Sequence, residues 1–221
     1  MTLANQAYTS IRQDIISCTL KPESPLRLAE LRDTYGVGFS PLREALNRLH
    51  SERFVVAEDL KGFRVAPWSL DDKRDVVETR IEIETSALRT AMSKGDDDWE
   101  ATIISSLHAL NKQADRVGDD GTFWELETRH HAFHLALIAA CGSAWRLRIF
   151  EQLYGATERY RIPTLLRQTD GSSRDIKGEH TELAHAVLDR DARAAVTLLK
   201  AHYTRTVDWI QRHVVSTSAE G

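Results

Sequence analysis

Ser40-Pro41-Leu42-Arg43-Glu44-Ala45-Leu46-Asn47-Arg48-Leu49 is the stretch that decides the fold of the first third of the chain. Leu42, Leu46 and Leu49 recur at helical spacing with Ala45 between them, which gives one apolar face. Ser40 is the expected N-cap and Pro41 the first helical residue, where the missing N–H costs nothing. The opposite face carries Ser40, Arg43, Glu44, Asn47 and Arg48. Arg43 and Asn47 stand four residues apart and project from one side of the helix. An arginine can fork onto a guanine edge and an asparagine onto an adenine edge in the major groove of DNA. The helix N-terminus at Ser40 can also meet a phosphate. Any three-helix packing unit shows a polar outer face, so this helix alone leaves a purely structural reading open.

The flanking segments narrow the choice. Upstream, Tyr8, Ile11, Ile15 and Ile16 predict a helix from about Asn5 to Ser17. Pro22 and Pro25 break it. Leu28, Leu31 and Tyr35 predict a short second helix, closed by Gly36 at the position where a left-handed residue is needed. Downstream, Phe54-Val55-Val56-Ala57 and Phe63-Arg64-Val65-Ala66 are short extended runs joined by a Gly-containing loop, which predicts a hairpin. Helix, helix, turn, helix, hairpin is the order of a winged helix-turn-helix, expected over residues 1–67. Arg27 and Arg32 near the second helix, with Lys61 and Gly62 at the hairpin tip, are candidates for phosphate-backbone contacts.

After Pro67 and Trp68 the periodicity is helical throughout. Val76 to Met92 predicts a long helix stopped near Gly95, and Trp99 to Leu110 another stopped near Gly118. Phe123 to Cys141 is a third. Ala144 to about Tyr160 is a fourth, ended by Pro163 or by the Asp170-Gly171-Ser172-Ser173 cluster. Glu179 to Arg190 and Ala192 to Val214 close the series. The expectation is a mainly α protein, its second domain an all-helical bundle of six or seven helices over 68–215, with a flexible tail at 216–221.

Composition excludes several classes. The 221 residues are 42% hydrophobic and 28% charged with a net charge of −4, as in a soluble globular protein rather than one that coats nucleic acid indiscriminately. Met1 to Pro67 carries a net +1 and the remainder −5, so the front is the less acidic part. No basic, then apolar leader opens the chain, and the most apolar run, Ala132–Cys141, is far below the ~20 residues of a membrane span. Cys18 and Cys141 stand alone, as reduced and packed thiols do, so a cytoplasmic location without membrane association is expected. No phosphate loop, dinucleotide fingerprint or Gly-x-Ser-x-Gly elbow is present, and the run His130-His131-Ala132-Phe133-His134 has histidine where a zinc hydrolase needs glutamate. An enzyme is not expected.

Nine histidines are present. His130 and His134 share one helix face, and His180 and His202 lie on two later helices. Imidazoles from facing helices can build a divalent transition-metal site in a bundle core. Such spacing also arises by chance in a helical protein with this many histidines. His108, His131, His185 and His213 are expected at the surface or in packing roles.

Leu26-Arg27-Leu28-Ala29-Glu30-Leu31, Tyr35-Gly36-Val37, the Ser40–Leu49 block and Gly62-Phe63-Arg64-Val65 together resemble the DNA-binding domain of the GntR superfamily of transcription regulators. The helical remainder resembles the FCD domain of its FadR-type branch, and the likeness runs from about Ala7 to His213. It implies a homodimer on a pseudo-palindromic operator, commonly as a repressor released by an effector, with Ser40 and Arg43 matching two family base-contact positions. Gly38-Phe39 departs from the usual Ser/Thr-Arg, so the operator sequence does not carry over, and Phe39 is left to pack on a thymine methyl or a sugar. The resemblance also implies a metal site at His130, His134, His180 and His202, with His130 standing where aspartate is usual. Four nitrogens suit zinc or nickel better than hard cations. Arg80 resembles the family's arginine near the effector pocket, where a guanidinium can clamp a small carboxylate, with Tyr160 and Arg161 as further candidate contacts. An ion pair of Arg80 with Glu84 is the alternative, as is a helical domain that only dimerises and binds no ligand.

Overall fold

The computed structural model describes residues 1–58, 62–116, 120–166 and 174–217. The elements in chain order are α1 (Leu3–Ile16), β1 (Pro25–Leu26), α2 (Leu28–Tyr35), α3 (Phe39–Ser51), β2 (Val55–Glu58), β3 (Gly62–Val65), α4 (Leu70–Lys94), α5 (Asp97–Ala114), α6 (Asp120–Ile138), α7 (Ala144–Leu166), α8 (Ile176–Leu188) and α9 (Ala192–Thr217). A single 3-10 turn, Ala139–Cys141, follows α6. The chain divides into two compact units, Met1–Val76 with Gly155–Asp170 and Arg212–Gly221, and Val77–Tyr154 with Gly171–Gln211.

In the first unit α1 starts two residues earlier than its apolar spacing predicted, because the Thr2 hydroxyl accepts from the Asn5 amide at 3.2 Å and caps the helix. Its buried face, Ala7, Ile11 and Ile15, meets Leu42, Ala45, Leu46 and Leu49 of α3, all buried. Burying such side chains contributes about 1.5–3 kcal/mol for each large one. Gly36, at φ +66°, ends α2 in the left-handed region that spares glycine the Cβ clash. The start of α3 corrects the expectation for Ser40. The cap is Gly38, in extended backbone at φ −69° and ψ 168° with no side-chain bond, so Ser40 sits in the first turn and Pro41 third. Proline is tolerated there because the first amides of a helix have no acceptor. The hairpin forms as expected, in the register Val55↔Val65 through Glu58↔Gly62. An unexpected third strand, β1, adds to β3 through Pro25↔Arg64 and Leu26↔Phe63. Pro25 lacks an amide donor, which an edge strand accommodates. Lys61 lies outside the described residues.

The second part of α7 belongs to the same unit. Arg159 donates from Nη1 to the Arg53 carbonyl (3.0 Å) and from Nη2 to those of Ala66 (2.8 Å) and Pro67 (3.0 Å). Glu158 pairs with Arg12. The Tyr160 hydroxyl donates to Asp72, and its ring centroid lies 5.3 Å from that of Trp68.

In the second unit Asp96 and Asp175 cap α5 and α8 through the Trp99 and Gly178 amides at 3.0 and 2.7 Å. Three acidic residues in the first turn of α5, Asp97, Asp98 and Glu100, suit its positive end. The core is Leu88, Ile103, Phe133, Leu137, Phe150, Leu183, Val187 and Leu199. Trp99 buries its ring there and donates from Nε1 to the Ala136 carbonyl at 2.8 Å. Pro163, in the part of α7 that belongs to the first unit, does not stop the helix, which continues to Leu166. A proline inside a helix removes one backbone bond, and here the turn survives the loss of the donor for the Arg159 carbonyl. Ser216 and Thr217 are still in α9, while 218–221 lie outside the described residues. No helix among the described residues is long and apolar enough to cross a membrane.

Candidate functional site

The second unit collects four imidazoles at one point of its core. α6 supplies His130 and His134 one turn apart, α8 supplies His180 and α9 supplies His202. All four are buried, and one ring nitrogen of each lies within 4.8 Å of those of the others. Nε2 of His134 and Nε2 of His130 are 3.1 Å apart. Two ligands of a tetrahedral ion at ~2.0–2.1 Å lie about 3.4 Å apart, so this pair is at ligand spacing. The four histidines singled out in the sequence are thus brought together at one point.

What surrounds the rings decides which nitrogens are left for an ion. Tyr154, from α7, places its hydroxyl 2.7 Å from Nδ1 of His130. The Tyr203 hydroxyl lies 3.1 Å from Nδ1 of His134 and donates to Oε2 of Glu84 at 2.6 Å. A phenol has one proton, and a carboxylate can only accept it. Toward His134 the Tyr203 oxygen is therefore the acceptor, Nδ1 carries the hydrogen, and Nε2 keeps its lone pair. Glu179 accepts from Nδ1 of His202 at 2.8 Å, with the same consequence for that ring. Nδ1 of His130, His134 and His202 is engaged from outside, and what the cluster offers an ion is imidazole nitrogen alone. That fits zinc or nickel in a closed protein site.

Arg80 is fully buried beside this cluster. It forms an ion pair with Glu84, four residues on in α4, and donates from Nη2 to the Tyr203 hydroxyl at 2.9 Å. Its guanidinium stands 4.7 Å from the Tyr154 ring centre and 4.4 Å from that of Tyr203. Burial opposes the Arg80 charge, and Glu84 and Tyr203 outweigh it and raise the pKa. Burial keeps the His202 imidazole below its ordinary pKa, partly offset by the bond to Glu179. Burial acts to raise the Glu179 carboxyl, but the bonds from Arg174 and His202 hold it well below the usual carboxylate range. Tyr160 and Arg161 fall in the first unit, Arg80 and the four histidines in the second. Of the other histidines, His108 and His185 are exposed and His131 pairs with Glu151 at 2.8 Å.

The ion pair of Arg80 with Glu84 was legible as a four-residue spacing, but four side chains around the site had no signature in periodicity: Tyr154, Arg174, Glu179 and Tyr203. Adjacency was the available signal, since Glu179 precedes His180 and Tyr203 follows His202.

On the first unit, Ser40, Arg43 and Asn47 are exposed on the outer face of α3. Arg48 differs. It stacks 3.6 Å from the Tyr8 ring centre and pairs with Glu52 at 3.2 Å, which ties α3 to α1. Arg27 pairs with Glu30 at 2.9 Å across solvent, and Arg32 covers the exposed Phe39 ring at 5.4 Å. Gly62, at φ +90°, adopts at the hairpin a conformation that L side chains rarely take.

Comparison with known proteins agrees with both halves. Residues 3–65 match "Bacterial regulatory proteins, gntR family" and residues 75–205 match the FCD domain. The chain is 35% identical to the HTH-type transcriptional regulator BphR of Paraburkholderia xenovorans, over 96% of this chain and 86% of that protein. It is 34% identical to the HTH-type transcriptional repressor GlaR of Escherichia coli, over 96% and 98%. Among solved structures, E. coli McbR/YncC shares the fold at 18% identity with a TM-score of 0.78, covering 96% of this chain and 98% of that one. A GntR family regulator from Pseudomonas syringae matches at 28% identity and a TM-score of 0.58, covering 98% and 89%. The chain belongs to the GntR family of bacterial transcription regulators, as a DNA-binding regulator with a C-terminal FCD domain and not an enzyme.

Proposed function

We propose that this regulator is a homodimeric repressor whose helical domain holds a divalent transition metal, zinc or nickel, and releases the operator when a small carboxylate binds. The observation that carries the reading is the buried four-histidine cluster, whose nitrogens lie within 4.8 Å of one another. An ion held by His130, His134, His180 and His202 would supply positive charge complementary to an anionic ligand. Arg80 is the proposed partner for the carboxylate, by exchanging its bond to Tyr203 for a bidentate pairing. On DNA, Arg43 and Asn47 read base edges, Ser40 meets phosphate at the start of α3, and Arg27, Lys61 and Gly62 position the backbone. Repression is supported by the name of the E. coli relative, and dimerisation by the two-fold habit of helix-turn-helix proteins on palindromic sites. Cytoplasmic residence follows from the target.

The complete pairing of Arg80 with Glu84 and Tyr203 favours a second reading, in which the helical domain dimerises without a ligand. A screen of mono- and dicarboxylates separates the two. Metal-loaded protein is followed by thermal shift, and by fluorescence anisotropy on DNA from upstream of its own gene. A ligand of the native state raises the melting temperature, and an effector weakens DNA affinity by about 5–150-fold. If no carboxylate changes either quantity, the second reading stands.

A further inference from the structure

His130, His134 and His202 each meet a partner at Nδ1, and the partners are not equivalent. His130 and His134 meet phenols, whereas His202 meets a carboxylate directly. That carboxylate is itself fixed. Arg174 donates from Nε to Oε1 of Glu179 at 2.9 Å and from Nη2 to Oε2 at 2.7 Å, a two-point grip. The same Nη2 donates to the His202 backbone carbonyl at 3.0 Å, and Arg174 Nη1 to the Thr206 hydroxyl at 3.0 Å. Arg205 approaches Oε1 from α9 at 3.4 Å. The Glu179 side chain is only 11% exposed and that of Arg174 13%. A carboxylate so held has one strong acceptor position left, and Nδ1 of His202 occupies it at 2.8 Å. Arg174 Nη2 also lies 3.4 Å from Nδ1 but is a donor, so it cannot accept that hydrogen.

We infer that Glu179, gripped by Arg174, is a positioning residue of the metal centre: it fixes His202 as the Nδ1–H tautomer and turns Nε2 toward the other three imidazoles. The inference rests on the metal reading of the cluster proposed above and assigns a role within it. Glu179 stands next to the ligand His180 in sequence yet serves His202 on the neighbouring helix. The bond joins α8 to α9 beside the cluster. Partners of this kind orient ligand rings and raise their basicity, and losing one typically weakens metal binding by about 10–100-fold.

The test uses the full-length protein and two readouts, of which the second, the tautomer of His202, is one that a purely structural tie between α8 and α9 would not set. The first is cobalt(II) affinity by chelator competition, with the visible ligand-field spectrum, for wild type, Glu179→Ala, Glu179→Gln and His134→Ala. The second is the 15N spectrum of the histidine rings in wild type, which reports the tautomer of His202 without any variant. The expected results are a loss of about 10–100-fold for Glu179→Ala, a smaller loss for Glu179→Gln, whose amide oxygen still accepts from Nδ1, and an Nδ1–H tautomer at His202. An affinity for Glu179→Ala within a factor of about two of wild type, or an Nε2–H tautomer at His202, overturns the role of Glu179. If cobalt binds wild type, is lost in His134→Ala and is unchanged in Glu179→Ala, only this inference fails. If wild type binds no cobalt, the metal reading fails with it.

Discussion

The Tyr203 hydroxyl lies 3.1 Å from Nδ1 of His134, and its single proton is committed to Glu84 at 2.6 Å. This links the buried Arg80–Glu84 pair of α4 to the histidine cluster through one phenol. Tyr203→Phe deletes only the oxygen. Arg80, Glu84 and His134 each lose a partner inside the core, which costs about 1–3 kcal/mol for buried groups left unsatisfied. Urea unfolding of Tyr203→Phe should show that loss, together with weaker metal binding. An unchanged unfolding midpoint would mean that the network is slack.

Glu84→Ala should be more severe. The carboxylate and guanidinium side chains are 1% and 4% exposed, so the substitution removes the carboxylate that opposes the Arg80 charge in the core. Breaking a buried pair from one side costs about 3–5 kcal/mol. Glu30→Ala, which opens the solvent-exposed pair with Arg27, should leave the midpoint where it was. Equal effects from the two substitutions would contradict this ranking.

The arginines of α3 should separate by role. Arg43→Ala and Asn47→Ala should each weaken operator binding by about 10–100-fold, the equivalent of a lost base contact, with the melting temperature unchanged. Arg48→Ala should lower the melting temperature, because it removes the stacking on Tyr8 and the bond to Glu52. Anisotropy and calorimetry on the three variants distinguish these outcomes, and the pattern is wrong if Arg48→Ala affects only DNA.

Arg159 is the fourth test. It satisfies the carbonyls of Arg53, Ala66 and Pro67 with one guanidinium. Arg159→Ala should cost at least about 2 kcal/mol, since bonds from a charged donor are the stronger kind. Arg159→Lys should not restore it, because a single ammonium lacks the planar fork that spans these acceptors. Denaturation of both variants, followed by far-ultraviolet circular dichroism, reads the difference.

Much of this was legible in the residues themselves. The Leu42–Leu46–Leu49 face, the Gly36 stop and the hairpin runs each encode one element locally, and all three appear where periodicity puts them. His130 and His134 share a turn of one helix, His180 and His202 were read on two later helices, and the family resemblance joined the four into one set. Features set by tertiary contact were not legible. The strand at Pro25–Leu26 exists only because β3 offers it an edge, and its two residues carry no alternation to read. Gly38 caps α3 by backbone conformation alone, so the more conspicuous Ser40 and Pro41 misled. The partners of the histidine rings, Tyr154, Glu179 and Tyr203, come from α7, α8 and α9, and only the fold brings each to the Nδ1 it meets.

Metal content of the protein as purified, without an affinity tag or chelator, tests the account most directly when set beside His134→Ala. Elemental analysis should find close to one zinc or nickel per chain in wild type, removable by prolonged chelation with a fall in melting temperature, and none in the variant. No metal in wild type after dialysis against zinc, or equal metal in both proteins, would contradict the assignment of the four histidines as a metal centre.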